Sequence, residues 1–322
     1  MNEFALIDRF FRHAVHDPAV RIAIGDDAAV VAPAPGCDLV FSVDMLVEGR
    51  HFLAGVDPRT LGHKTLAVNL SDLAAMGAKP RWALLAGALP DVDEAWLAQF
   101  AVGLFALADR FDVALIGGDT TRGPRTFCLT IIGEVPSGTA LTRAQAKPGD
   151  DVYVSGTLGD AALALATLQG RARLEPSDLA TARSRLETPE PRVALGERLR
   201  GVASAAIDLS DGLTGDLGHI LDQSRAGATV EVALIPRSRP LAVLIDGDAR
   251  NLGLACLLAG GDDYELCFTA APKLREAISA IARDVGVPLA RVGTVTEGEG
   301  LIVRDERGEP LPSLPRSFDH FG

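Results

Sequence analysis

Aspartate side chains follow apolar, strand-like segments at four places in this sequence. Each lies within three residues of the last apolar residue of its segment, at Asp27, Asp44, Asp119 and Asp208. In layered α/β folds, residues at the carboxyl ends of strands converge from distant parts of the chain and form the ligand site. Aspartate is also a common turn former, so any one of the four is more often a turn than a ligand, by roughly two to one. Four such positions together favour a shared site.

The chemistry that such a site favours is cation binding, because clustered carboxylates either take up protons or bind cations. Magnesium prefers oxygen ligands and commonly bridges a few carboxylates to substrate phosphates. The whole chain is acidic, with 31 Lys and Arg against 43 Asp and Glu, a formal net charge of −12. This charge, without any basic run, argues against nucleic acid and anionic membranes as partners. Metal ions would let so acidic a protein hold a polyanion such as ATP.

A fifth aspartate, Asp72, lies inside a segment with helical periodicity. Thr65, Asn69 and Asp72 fall at positions i, i+4 and i+7, on one face of the helix. A solvated polar face is the alternative, but apart from Lys64 the rest of this segment is almost uncharged. The pattern therefore predicts a buried helix whose aspartate makes one polar contact.

A dedicated phosphate loop is absent, since the sequence has neither G-x-x-x-x-G-K-[ST] nor the protein-kinase signatures. The glycine-containing turn at residues 155–160 could bind phosphate through its N–H groups, but a structural turn is favoured. Arg122 and Arg143 could neutralise charge on a transferring phosphoryl group. Each could equally be an ordinary surface arginine.

Strands and helices alternate along the 322 residues, which predicts an α/β or α+β fold in two domains, residues 1–136 and 137–322. The boundary lies where small and polar residues collect, at 136–150. We predict helices at 3–15, 60–76, 93–109 and 160–169. We predict strands at 21–24, 39–43, 113–116, 126–132, 151–155, 205–207, 229–234, 265–268 and 291–295. Leu-Ser-Asp occurs at 70–72 and again at 209–211, which is weak evidence for a repeat.

The chain is expected to be cytoplasmic. Its four cysteines form no C-x-x-C pair, so reduced thiols are favoured over a disulfide framework or a zinc site. The first residues lack the basic-then-apolar layout of a signal peptide. The most apolar stretch, residues 82–89, is far shorter than the roughly 20 residues that a membrane helix needs.

Taken in order, the motifs resemble the thiamine-monophosphate kinases from about residue 3 to the C-terminus. The segments that carry the resemblance are IGDDA at 24–28, SVD at 42–44, EGRHF at 48–52, AVNLSDLAAMG at 67–77, IGGDTTRG at 116–123, LTR at 141–143, IDLSDGL at 207–213, GGDDYEL at 260–266 and FDHF at 318–321. This family shares a superfamily with aminoimidazole ribonucleotide synthetase and selenophosphate synthetase, which also use ATP.

The resemblance implies the two-domain fold of that superfamily. Its N-terminal domain would bind ATP and magnesium and would dimerise as a β-barrel shared by two subunits, and its C-terminal domain would be an α/β sandwich. The implied reaction is magnesium-dependent transfer of the ATP γ-phosphoryl group to thiamine monophosphate, giving thiamine diphosphate and ADP. Several magnesium ions are implied, whereas a requirement for potassium stays open.

The resemblance also implies residue roles. The magnesium ligands would be Asp27, Ser42, the backbone of Val43, Asp44, Asp72, Asp119, Asp208 and Asp211. The contacts to ATP would be Gly118, Asp119, Arg143 and Ser210, and those to thiamine monophosphate would be His51, Asp262 and Phe318. Of these, Asp44, Asp119 and Arg143 would be catalytic.

Two alternatives remain. One is another ATP-using synthetase of the superfamily. Selenophosphate synthetase should carry a reactive Cys and a Lys near its N-terminus, whereas the first cysteine here is Cys37 and the first lysine is Lys64. Aminoimidazole ribonucleotide synthetase should lack GGDDYEL. The other alternative is a non-catalytic nucleotide-binding protein, which predicts ATP binding without turnover. The presence of every expected carboxylate argues against it.

Overall fold

The computed structural model describes residues 3–13 and 16–317, and the chain divides into two units. Unit 1 comprises Met1–Leu73 and Ala78–Thr139, and unit 2 comprises Ala74–Gly77 and Ala140–Gly322. Within the described ranges, no helix is long and apolar enough to cross a membrane.

Unit 1 is built around a mixed sheet with helices on one face. In chain order its elements are α1 (Glu3–Phe10), β1 (Val20–Ile22), β2 (Val30–Val31), β3 (Cys37–Val47), α2 (Pro58–Ala75), β4 (Lys79–Leu89), α3 (Glu94–Arg110), β5 (Ala114–Arg122) and β6 (Thr126–Pro136). Among the described residues, four strands pair in the order β3-β6-β4-β5, and β1 and β2 form a separate hairpin. Only the β4–β5 pair in that sheet is parallel.

The two faces of this sheet are covered differently. On one face lie α2 and α3, and Leu66, Leu70 and Leu73 of α2 are buried, as their spacing predicts. Phe100 of α3 stacks on Phe127 of β6 with ring centroids 4.4 Å apart. On the other face, apolar residues of the β1–β2 hairpin pack against Trp82, Ile116 and Ile132, at one end of the sheet. The rest of that face carries exposed apolar side chains on β3.

Unit 2 contains a longer, mainly antiparallel sheet. Its elements are β7 (Asp151–Ser155), α4 (Asp160–Leu168), α5 (Pro176–Glu187), α6 (Val193–Leu199), β8 (Ala205–Asp208), α7 (Leu213–Ser224), β9 (Gly227–Glu231), α8 (Arg239–Asp246), α9 (Arg250–Ala259), β10 (Leu266–Ala270), α10 (Arg275–Val285), β11 (Leu289–Thr296) and β12 (Gly300–Arg304). Six strands of the described chain pair in the order β12-β9-β11-β7-β10-β8. Its core includes Val152, Val154, Ile207, Leu217 and Cys267, all nearly inaccessible to solvent.

Two strands are longer than predicted, and this changes where the aspartates lie. Asp44 and Asp119 were expected to follow strand ends, which is wrong: β3 continues to Val47 and β5 to Arg122. Both strands are at sheet edges, where pairing to the single neighbour stays in register past each aspartate. Both carboxylates are at least partly exposed to solvent, so each can lie within a strand without being buried. Asp208, expected just after a strand that ends at residue 207, is the last residue of β8.

Candidate functional site

Polar side chains of α2 contact β3 in unit 1, as the helical spacing predicts. The Ser42 hydroxyl on β3 donates a short hydrogen bond to Oδ2 of Asp72 on α2. The Asp44 backbone N–H donates to Oδ1 of Asn69 at 3.2 Å, and the Asn69 amide donates to the Thr65 carbonyl at 3.1 Å. Ser42, Asp44 and Asp72 therefore lie together, and Asn69 fixes the backbone between them.

This group offers only oxygen atoms as ligands, and that donor set suits magnesium. Among the described residues, however, no three Asp, Glu, His or Cys side chains form a group that could hold a metal ion. Asp27 lies in an exposed turn after β1, where its backbone N–H donates to Asp26 Oδ1 at 2.9 Å. Asp44 and Asp72 would need further ligands to complete a site.

Asp119 lies at the opposite edge of the same sheet. The register aligns Asp44 with Leu129, Leu129 with Leu85, and Leu85 with Gly118, the neighbour of Asp119. Three strand spacings of about 4.8 Å separate the two edges by roughly 14 Å. Oxygens that share one magnesium each lie about 2.1 Å from it. Within one chain, Asp44 and Asp119 are too far apart to bind the same ion.

Gly118 is required by the backbone beside it. Its φ of 152° lies outside the range that most residues adopt, and a Cβ there would overlap the carbonyl oxygen of Leu85. Glycine at this position lets β5 pack closely against β4 next to Asp119. Arg122, at the end of the strand, is exposed and donates to the Pro90 carbonyl at 3.2 Å.

His51 lies in a turn that its own ring stabilises. The Val47 N–H donates to His51 Nδ1 at 3.0 Å, so in the neutral ring the proton must be on Nε2. The Glu48 N–H donates to the Arg125 carbonyl at 3.1 Å, and the Arg125 guanidinium pairs with the Glu48 carboxylate at 3.0 Å. The neutral His51 ring is therefore an Nε2–H donor, and the contacts between Glu48 and Arg125 hold the backbone of its turn in place.

In unit 2, the loop after β8 pairs with the loop before β10. Asp262 N–H donates to the Ser210 carbonyl and Tyr264 N–H to the Leu209 carbonyl, both at 2.8 Å. In return, Leu209 N–H donates to the Glu265 carbonyl at 2.8 Å. The paired loops bring Ser210 next to Asp262. The residues predicted to contact the nucleotide and thiamine monophosphate thus lie side by side.

Both loops have unusual backbone conformations. Asp262 and Tyr264 have φ of 60° and 49°, in the left-handed region that residues other than glycine seldom adopt. A Cβ at Gly261 would overlap the Ser210 carbonyl, and a Cβ at Gly212 would crowd the backbone of Ala259. Strained backbone persists only where its surroundings enforce it, and it collects at functional sites.

Two buried carboxylates hold these loops by accepting backbone N–H groups. Asp216, in the first turn of α7, accepts from Asp211 and Gly212, each at 3.1 Å. Burial raises the pKa of Asp216 to about 7, although these two hydrogen bonds act to lower it. Asp263 accepts from Gly159 at 2.9 and 3.0 Å, and its complete burial raises its pKa well above the ordinary value.

The glycine-containing turn at 155–160 is structural, as favoured from the sequence. Gly156 N–H donates to the Pro288 carbonyl, Leu158 N–H to the Pro236 carbonyl and Gly159 N–H to Asp263. With these donors engaged inside unit 2, the turn has few N–H groups left for a phosphate.

The remaining predicted residues are placed as follows. Asp208 is buried at the end of β8, and Asp211 is half-buried before α7. Arg143 is exposed, and its carbonyl accepts from the Ser224 hydroxyl at 3.3 Å. Phe318 lies outside the described residues. Asp216, Asp263 and Glu265 were given no role from the sequence. Asp263 and Glu265 lie within the motif GGDDYEL, and Asp216 lies three residues after IDLSDGL.

Family comparisons match both halves of the chain. Residues 25–135 match the family described as AIR synthase related protein, N-terminal domain, and residues 147–306 match its C-terminal domain. The thiamine-monophosphate kinase of Escherichia coli (strain K12) is 47% identical over 324 residues, covering 99% of this chain and 98% of the relative.

Solved structures agree with this similarity. The crystal structure of thiamine-monophosphate kinase from Stenotrophomonas maltophilia K279a has a TM-score of 0.87 and 47% identity, covering 97% of this chain and 98% of that chain. A second structure, AaThiL complexed with AMPPCP and TMP, has a TM-score of 0.76 and 28% identity. It covers 90% of this chain and 89% of that chain.

Proposed function

Because the chain belongs to the thiamine-monophosphate kinase family, we propose that it transfers the γ-phosphoryl group of ATP directly to the phosphate of thiamine monophosphate. The observation that carries this proposal is the pairing of the Ser210 and Asp262 loops in unit 2. It supports adjacent sites for a nucleotide and a phosphorylated acceptor. The similar AaThiL structure, which holds AMPPCP and TMP, supports the same two ligands.

The proposed reaction is a direct in-line attack by a phosphate oxygen of thiamine monophosphate on the γ-phosphorus. That oxygen is already ionised near neutral pH, so the reaction requires no general base. Catalysis then consists of placing two anions in line and reducing their repulsion. His51, through Nε2–H, and the Asp262 loop would orient the acceptor, with Phe318 as a further contact. Ser210, Gly118 and Arg143 would contact ATP.

Magnesium would be held by the carboxylates and the hydroxyl already described. In unit 1 these are Asp27, Ser42, Asp44, Asp72 and Asp119, with the carbonyl of Val43. In unit 2 they are Asp208 and Asp211. The bound ions would supply positive charge against the phosphates of both substrates. Asp216 would keep the Asp211 backbone in place through its two N–H contacts.

We also propose a homodimer formed through the unit 1 sheet, closing into a barrel across two copies. Phe41, Val43 and Met45 alternate along β3 and are 62%, 58% and 53% exposed, an apolar stripe that a partner would cover. The separation of Asp44 from Asp119 supports the same assembly. If both bind one ion, Asp44 comes from one copy and Asp119 from the other.

The two domains would divide the work as the sequence indicates. Residues 1–136 would provide the ATP- and magnesium-binding and dimerisation domain, and residues 137–322 would complete the substrate and nucleotide sites in an α/β sandwich. The reaction would take place in the cytosol, where the four free cysteines stay reduced.

The test is to incubate purified protein with magnesium, ATP and thiamine monophosphate and to follow ADP and thiamine diphosphate by chromatography. Equal amounts of both products are expected, and no thiamine diphosphate should form without magnesium. ADP without thiamine diphosphate would overturn the assigned acceptor and favour another synthetase of the superfamily. Nucleotide binding with no ADP would identify a non-catalytic binder.

A further inference from the structure

Glu265 in unit 2 accepts four side-chain hydrogen bonds, and its side chain is completely inaccessible to solvent. Arg192 donates to it through Nε at 2.6 Å and Nη2 at 2.5 Å. Arg185 donates through Nη2 at 2.5 Å, and the Ser155 hydroxyl donates at 2.5 Å. A buried carboxylate needs such partners, because removing its charge from water is costly. We call Glu265, Arg185 and Arg192 the Glu265 triad.

The Glu265 triad joins segments that are far apart in sequence. Arg185 is on α5, Arg192 directly precedes α6, and Glu265 directly precedes β10. Arg185 also donates to the Thr157 carbonyl at 3.4 Å. Gly156 precedes Thr157 in the chain. A Cβ on Gly156 would overlap the Glu265 carboxylate. The position of the Glu265 side chain is therefore set from several sides.

Glu265 also ends the strained loop that carries Asp262. Its carbonyl accepts the Leu209 N–H, which is the first link between the paired loops. One residue earlier, Tyr264 has a left-handed φ of 49°, and Asp262 one of 60°. A loop with two such residues relaxes unless its ends are fixed. The anchored side chain of Glu265 fixes the end that leads into β10.

We propose that the Glu265 triad is a positioning device for substrate binding: it holds the loop at 260–264 so that Asp262 contacts thiamine monophosphate. This inference rests on the proposed function for the role of Asp262. Glu265 touches neither substrate and acts only through the loop backbone. The positively charged pair of arginines makes the negative charge of Glu265, and not only its shape, necessary for this role.

A second buried carboxylate in unit 2 provides a matched control. Asp151 begins β7 and pairs with Ala270 at the far end of β10, so it lies at the opposite end of the same strand pair from Glu265. Arg275 donates to it at 2.6 and 2.7 Å, and Arg291 at 3.3 Å. It is thus also a buried carboxylate held by two arginines, but it braces no proposed site loop.

The experiment compares Glu265→Gln with Asp151→Asn in the full chain. Both should lower the melting temperature. Only Glu265→Gln should raise the KM for thiamine monophosphate, by about tenfold or more, as expected for a displaced substrate contact. Hydrogen exchange at the amides of Asp262 and Tyr264 should accelerate in Glu265→Gln and stay at the wild-type rate in Asp151→Asn.

Two outcomes would overturn the inference: a KM for thiamine monophosphate in Glu265→Gln equal to that of Asp151→Asn, or loop exchange unchanged in Glu265→Gln. If Glu265→Gln does not fold, Arg192→Lys removes the two-pronged contact and keeps the charge, and the same comparison applies. Failure of the proposed function is recognised separately, because wild-type protein would then make no thiamine diphosphate. Loop exchange would still decide the role of the triad.

Discussion

Ser42, Asp44 and Asp72 lie together, and Asn69 contributes to their arrangement without being a predicted ligand. An asparagine can accept the Asp44 N–H and still donate to Thr65, which a carboxylate cannot do. The neutral amide also adds no further negative charge beside Asp44 and Asp72. A single residue thus aligns the proposed ligands and limits their repulsion.

The first prediction concerns the two edge carboxylates. Asp44→Asn and Asp119→Asn should each lower turnover by two or more orders of magnitude, because each removes a proposed magnesium ligand at the transferring phosphoryl group. Melting temperature should change little, since neither side chain is buried in a core. Steady-state rates with saturating magnesium measure the effect.

Asp38→Asn is the matched control for that prediction. Asp38 also lies on β3, but it accepts from the Ser137 hydroxyl at 2.7 Å and the Gly138 N–H at 3.2 Å. Its replacement should leave turnover within about twofold, as for most exposed positions. Near-normal rates in both Asp44→Asn and Asp119→Asn would contradict the proposed metal site.

A second prediction separates the two nitrogens of His51. Asparagine can replace Nδ1 as the acceptor for Val47 N–H, whereas glutamine can replace the Nε2–H donor. If the donor contacts thiamine monophosphate, His51→Gln should keep a lower KM for this substrate than His51→Asn, by about fivefold or more. Thermal unfolding should show the reverse order, with His51→Asn the more stable. The same KM in both variants would exclude a contact through Nε2.

At this scale, sequence predicted some contacts and not others. The spacing of Asn69 and Asp72 showed which face of α2 is polar, because helical geometry fixes that from sequence alone. Glu265 could not be recognised, since its partners Arg185 and Arg192 lie more than 70 residues away. A buried carboxylate and an exposed one look alike until the fold brings its cations to it.

Helix α2, which carries Asn69 and Asp72, also crosses α3 closely. A Cβ on Gly103 would overlap the Arg59 carbonyl, and one on Gly62 would overlap the Phe100 carbonyl. Gly62 on α2 lies against the backbone of α3, and Gly103 on α3 lies against the backbone of α2. Larger residues at these positions would keep the two helices further apart. The two glycines therefore set how closely α2 approaches α3.

Gly103→Ala should destabilise unit 1 by about 2 kcal/mol or more, because close-packed backbones cannot yield to an extra methyl group. Gly218→Ala in α7 is the control, since a Cβ there meets nothing within 4 Å. It should be neutral or stabilising by up to about 1 kcal/mol. Urea unfolding curves measure both. Equal effects of the two substitutions would show that the α2–α3 crossing is loose.

The Asp151 ion pairs make the stability of unit 2 depend on pH. The hydrogen bond from Arg275, followed by that from Arg291, holds the pKa of Asp151 below its ordinary value of 3.8. A lowered pKa in the folded state contributes stability above the unfolded value, and that stability is lost as pH falls through the folded value. At pH 7 the free energy of unfolding of the wild-type protein should therefore be about 1–2 kcal/mol larger than that of Asp151→Asn.

That difference should shrink as pH falls below about 4. Asp284→Asn serves as the comparison, because its ion pair with Arg198 is more than half exposed and should contribute less than about 1 kcal/mol at any pH. Chemical unfolding at a series of pH values measures both variants. A difference for Asp151→Asn that is the same at pH 3 and pH 7 would exclude the ion pairs as its source.

Of the described elements, most strands were predicted from the sequence, but helices α5 to α10 were not, and the extent of several elements was misjudged. Strand β4 was not predicted, although it lies inside the unit 1 sheet. Its apolar residues do not alternate with polar ones, because helices cover one face and the β1–β2 hairpin part of the other. Strands β3 and β5 were predicted too short, because polar residues on an edge strand look like the end of a strand.

For the whole molecule, the edge positions of Asp44 and Asp119 lead to a complementation test. Neither Asp44→Asn nor Asp119→Asn should be active alone. When the two are co-expressed with different tags, half of the dimers should be mixed and each should contain one intact site. The unfractionated mixture should recover about a quarter of wild-type activity, as expected for random pairing of two chains in a two-fold dimer.

Asp72→Asn provides the control, because Asp72 and Asp44 lie together in one chain through Ser42 and Asn69. A mixed dimer of Asp44→Asn and Asp72→Asn has a defect in both sites, so no activity should return. Recovery in this pair, or its absence in the first, would exclude a site shared between two copies.

The position of the proposed ligands on opposite edges of one sheet also has a kinetic consequence. A monomer would contribute Asp44 to one site and Asp119 to another, and would contain no complete site. Below the concentration at which two chains stay associated, the rate should therefore rise with the square of the protein concentration and become linear above it. A cell would gain activity from new copies only once they have found one another.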